Sequence, residues 1–438
     1  MSSPRRAIWP RGAWKSSVIK QTFSLWRRFW PQLACLYLLE QALHPWLMRA
    51  AVEIGFFDRL LGLTALAVLV LLKLVILLWM FHVVRPALTL LGPQSVAAAA
   101  DEITPRHRFS DVLALTLVPF FAYYAAWGFL GDVVRDYSLL GLRLDPFGEH
   151  GPLLRAGDSQ WLLLIVVASW LLRKACDEQM RKRRGFSWRL AAILLSANWA
   201  FIGLYALGTY KEEIGQWLAR LPVIDSLIRM WLSFKISAPS LSLPAPPMGW
   251  EAAFGSLRDL FLYMLLPVVW FALAAVIYYG KAARTDEVAS TVERAERRYT
   301  ALPPAVRKVL DGMIGGFRTR YLPIARSVEL TLTSGVGFLL LFIVSYRVLT
   351  WGSAWLWMLA KHWIGPYPTD LWFVFADVLA VVIGNPLGSE RGLIVEPLRI
   401  CLLAAALDRA VAVHRENSSE ASGATSAGSV NTVVAASG

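Results

Sequence analysis

Between Leu61 and Val84 the chain reads LGLTALAVLVLLKLVILLWMFHVV, 24 residues without a proline and with one full charge, Lys73. At about 1.5 Å of rise per residue this is long enough to cross a hydrocarbon layer about 30 Å thick. It is apolar on every side, so it lacks the polar stripe that a surface helix of a soluble domain turns to water. A transmembrane helix is the expectation, and the rest of the chain is read around it.

Further runs of the same kind follow. Of 438 residues, 56% are hydrophobic and only 17% charged, where a soluble protein carries nearer a quarter charged. The fold class expected is all-α, a polytopic transmembrane helix bundle of about eight spans. The spans fall at 31–56, 61–84, 110–134, 160–174, 188–209, 258–280, 327–350 and 391–413. Pro45 is expected to kink the first span, and Pro119 and Pro267 interrupt the third and sixth. Residues 370–384, with Asp377 inside, are too short for a plain crossing. They read as a re-entrant hairpin, half of a broken helix, or a full span.

Between the spans lie a basic N-terminal segment (1–30), a mixed-charge outer loop (135–159) and an outer amphipathic helix at 212–234. A basic cytoplasmic helical loop (281–326) and a disordered tail (414–438) complete the expected organisation. The net charge of +13 would suggest nucleic acid in a soluble protein, but here the basic residues sit in short loops, where they fix topology. The loops on the N-terminal side hold 29 Lys and Arg, against 11 on the other side. Both termini are therefore expected in the cytoplasm, with anionic lipid headgroups as partners of the basic loops. The expected location is the plasma membrane, multi-pass. No nucleic acid is expected as a partner.

Cys35, Cys176 and Cys401 are scattered and lack metal or disulfide spacing, so each reads as a small apolar packing residue. No cleavable leader, P-loop, G-x-S-x-G or H-E-x-x-H pattern is found, and no cofactor or metal is expected.

The residues that could carry chemistry are the ionisable ones inside spans. Glu40 lies ten residues in from Trp30, and Lys73 eleven in from Val84. Both therefore sit about 15 Å from the same surface. The connection between their helices is short, so a Glu40–Lys73 contact is expected, with His44 one turn away. A second group is Asp377, Glu396 and Arg399, beside a Gly- and Pro-rich interruption of the kind that lines transporter sites. Two functions follow as expectations. One is a permease or ion-coupled transporter of a small solute. The other is a non-transporting scaffold or accessory subunit that binds a cytoplasmic partner through 281–326, or assembles as a homo-oligomer. A lipid-modifying enzyme at the outer interface is a weaker third.

Overall fold

A single residue, Asp58, separates the first two helices, α1 (Ala13–Phe57) and α2 (Arg59–Val84). Its carboxylate accepts the backbone N–H groups of Leu60 and Leu61 at 2.9 Å each, capping the start of α2. The computed structural model describes residues 13–89, 105–126, 128–147, 159–183, 186–209, 250–279, 336–384 and 392–413. After α2 come α3 (Pro105–Ala126), α4 (Phe129–Leu144), α5 (Ser159–Arg183) and α6 (Phe186–Thr209). Then follow α7 (Trp250–Tyr279), α8 (Val336–Ile364), α9 (Thr369–Val382) and α10 (395–413). Among the described residues there is no β-strand. The outer amphipathic helix at 212–234, the basic loop 281–326 and the tail 414–438 lie outside the described residues.

Among the described residues three helices are long and apolar enough to cross a membrane, over Arg59–Ala87, Ser187–Gly208 and Gly337–Ile364. A fourth is reached if α3 and α4 are counted as one broken span. An all-α chain with such helices is a membrane protein.

Several boundaries differ from the sequence reading. From Ala13 on, the N-terminal segment is continuous with the first span: α1 is one helix of 45 residues that runs through Pro31 and Pro45. The stretch 110–134 is not one continuous helix. α3 ends at Ala126, Gly128 takes a left-handed φ of 82°, and α4 leaves at 74°. Only glycine adopts that backbone without strain. Residues 135–144, expected in a loop, are the amphipathic end of α4, whose buried side is Leu130, Val134, Tyr137 and Gly141. The fourth span is longer than expected, because α5 carries its helix on into the basic run at Arg183.

The described residues divide into two compact units. One holds those of Leu36–Trp79 and Thr104–Asp259. Inside it, α5 and α6 form a hairpin joined by a buried hydrogen bond, Asn198 Nδ2 to Ser169 Oγ at 3.0 Å. Phe121 of α3 meets Phe201 of α6 edge to face, and Arg189 donates to Ser110 Oγ at 3.0 Å. Polar side chains bridging helices in this way replace the hydrophobic drive that lipid does not supply. Where α1 and α2 meet, a Cβ on Gly62 would strike Gly55 Cα and the Tyr137 hydroxyl. Any larger residue there would push the two helices apart.

The other unit holds the described residues of Met1–Cys35, Met80–Ile103 and Leu260–Gly438. Its core is α10, buried on all faces: Ile400 to Leu407 all expose 3% or less. Around it, Phe271 of α7 packs on Phe342 of α8 at 5.1 Å, and Tyr278 donates to the Phe81 carbonyl at 2.9 Å. Residues 370–384 do form a helix, α9, whose 14 residues span only about 21 Å. Residues 392–394 lie against the end of that helix. The N–H groups of Gly392, Leu393 and Ile394 bond the carbonyls of Ile383, Val381 and Val382 at 3.2, 2.9 and 3.3 Å. These bonds occupy carbonyls that a helix C-terminus otherwise leaves without partners. A side chain on Gly392 would run into the backbone of Val382, Ile383 and Gly384, so that position has room for glycine alone. Ser353, well inside α8, also donates to the Ile383 carbonyl at 3.0 Å. The end of α9 is thereby fixed partway along α8.

Candidate functional site

The first sequence-derived cluster is assembled by the α1–α2 hairpin. From the Asp58 turn the two helices run antiparallel, and Lys73 Nζ comes to 3.3 Å from Glu40 Oε1. Their side chains keep 24% and 15% of their surface exposed, so the pair is covered without being sealed. His44 lies one turn along α1 from Glu40 and is half-buried. Tyr37 and Gln41 flank the acid on the same helix, with Gln41 Nε2 donating to the Tyr37 hydroxyl at 3.1 Å. Further along, Arg49 and Glu53 form an exposed i,i+4 pair at 3.0 Å. Glu40, Arg49 and Glu53 on this part of α1 thus each face a group of opposite charge.

The second cluster is only partly brought together. Glu396 and Arg399, one turn apart at the start of α10, form an ion pair and are nearly closed off from solvent. The Arg399 guanidinium lies 4.0 Å from the ring centroid of Trp270 on α7. An aromatic face is a good seat for a desolvated guanidinium. Asp377 does not join them. It stands exposed on α9 and makes no ion pair among the described residues. The expected three-residue cluster is therefore a two-residue pair with an aromatic lid.

A third buried ionisable group was not singled out from the sequence. Asp408 of α10 is 3% exposed. Its Oδ2 accepts from Gln21 Nε2 at 3.0 Å, the Thr89 backbone N–H at 3.2 Å and the Thr89 hydroxyl at 2.7 Å. Three donors on one oxygen satisfy the hydrogen-bonding capacity of this buried group. The described residues contain no group of His, Cys, Asp and Glu able to hold a metal ion.

With fold and site in view, the class is an all-α membrane protein with ionisable pairs among its helices. No protein family, characterised protein or solved structure matches the chain.

Proposed function

We propose that the protein is a multi-pass permease of the plasma membrane for a small solute, with eight crossings and both termini in the cytoplasm. One observation carries the reading. The last apolar region holds two helices, α9 ending at Val382 and α10 beginning at residue 395. The end of α9 lies beside Ser353 in the interior of α8. Taken as the two halves of one crossing, α9 and α10 give an even count and keep the C-terminus on the N-terminal side. Non-helical backbone at membrane depth is tolerated where it is buried in protein or lines a water-filled path. In transporters, such half-helix ends beside charged groups form the solute site. Here Glu396 and Arg399 stand at the break. The basic segments 1–29, 173–189 and 281–326 fit the same orientation, seated on anionic headgroups of the inner leaflet.

A non-transporting scaffold is the second reading, favoured by the pairing of Glu40 with Lys73 and the closed hydrogen bonding of Asp408. One experiment separates the two. In a chain with Cys35, Cys176 and Cys401 replaced, Ser353→Cys is treated in proteoliposomes with a small charged thiol reagent from either side. Val344→Cys, on the exposed face of α8, is the control. A permease shows Ser353→Cys labelled from one side and Val344→Cys unlabelled. A dry, unreactive Ser353→Cys would overturn the permease and leave the scaffold.

A further inference from the structure

One face of the α8–α9 hairpin is uncovered. α9 has no buried residue along its length. Only 17% of the most apolar stretch of α8 is buried, against 56% in α2 and 50% in α6. The exposed stripe of α8 is Leu340, Val344, Val348, Trp351, Trp355 and Met358. These are spaced four, four, three, four and three, close to the alternation by which two helices interlock side chains. Lipid could cover an apolar stripe of this kind. It does not suit what lies beside the stripe.

Asp377 is exposed on α9 between Phe373, Val374 and Val378, and Lys361 is exposed near the end of α8. Among the described residues neither side chain has a hydrogen bond or ion pair. An ionised carboxylate against acyl chains is strongly disfavoured, and its short stem cannot reach the headgroups as a lysine can. The two charges are also nearly level. Counting from the Ser353–Ile383 hydrogen bond, Asp377 is six residues back along α9, about 9 Å. Lys361 is eight residues on along α8, about 12 Å.

We propose that this face is the interface of a homodimer, in which Asp377 of each copy pairs with Lys361 of the other. A two-fold axis along the membrane normal moves no atom in depth. Residues level on one chain therefore stay level across the interface, and one contact of opposite charges makes two. The stripe on α8 then packs against its own copy. This rests on α9 lying within the membrane and is independent of whether the protein moves a solute.

The test uses two full-length, differently tagged copies in the cysteine-free background, one with Asp377→Cys and the other with Lys361→Cys. Oxidation in native membranes should give a disulfide-linked dimer carrying both tags, and none when either cysteine is absent. Fluorescently labelled chains in phosphatidylcholine–phosphatidylglycerol vesicles should bleach in two steps. Asp377→Lys should lower the dimer-to-monomer ratio at least tenfold, and Asp377→Lys with Lys361→Asp should restore it. Absence of a cross-link while both cysteines still react with maleimide would overturn the proposal. So would single-step bleaching of the unmodified chain, or a charge reversal that leaves the ratio unchanged. Lipid, water or an unrelated subunit would then cover the face.

Discussion

The two ion pairs answer the same problem in different ways. Glu40 and Lys73 come from different helices and keep 15% and 24% of their side-chain surface. Glu396 and Arg399 come from one turn of one helix and keep 12% and 6%. A pair shared between helices fixes how far one slides along the other, so it carries register. A pair within one turn neutralises its own charge and places no constraint on neighbouring helices. It can therefore stand at a break, where no continuous partner helix is available. The comparison teaches that a buried charge at an interruption must bring its counter-ion along, as Arg399 does, with Trp270 closing the exposed side.

Breaking each pair in turn tests this difference. The largest effect is expected from Arg399→Met, which strands Glu396 in a nearly sealed site. Removing one member of a buried pair costs about 3–5 kcal/mol. Denaturant unfolding in detergent should show that loss, and Glu396→Leu with Arg399→Met should recover most of it. Lys73→Met removes this counter-ion from Glu40 in a more open seam, with an expected cost of at most about 2.5–3.5 kcal/mol. Lys73→Met with Glu40→Leu should restore stability in the same assay. If the double variant inserts and unfolds normally but loses proton or solute flux in proteoliposomes, the pair couples transport. Retained flux makes it structural. The smallest effect should come from Asp58→Ala, which removes the cap of α2 for about 1 kcal/mol. A loss as large as that of Lys73→Met would mean that the turn, and not the ion pair, sets the register of α1 on α2.

The Glu40–Lys73 contact was legible in the sequence because two independent constraints met there: matched depth and a short connection. The α9–α10 interruption was legible as a Gly- and Pro-rich gap beside a short apolar run. Its backbone bonds were not, since nothing in the residue pattern says that 392–394 return to the end of α9. The bend inside 110–134 is not legible, because the apolar composition continues across Gly128 and the bend is encoded by one backbone angle. Residues 13–30 of α1 were set apart from the span because their Arg and Trp content looks like a membrane flank, and Pro31 looks like a boundary. Asp408 was missed for a different reason. Its partners Gln21 and Thr89 are 387 and 319 positions away in the chain, and no local spacing links residues so distant. Asp377 was placed in a cluster by its nearness in sequence to Glu396, and its exposed place on α9 takes it out of that cluster.

The one-residue turn at Asp58 bears on how the protein is made. Glu40 leaves the ribosome before Lys73, with a short, tightly folded connection between them. Two segments joined so closely can fold against each other as a single unit. The acid is then met by its base during synthesis, and neither charge has to wait for the later helices to arrive.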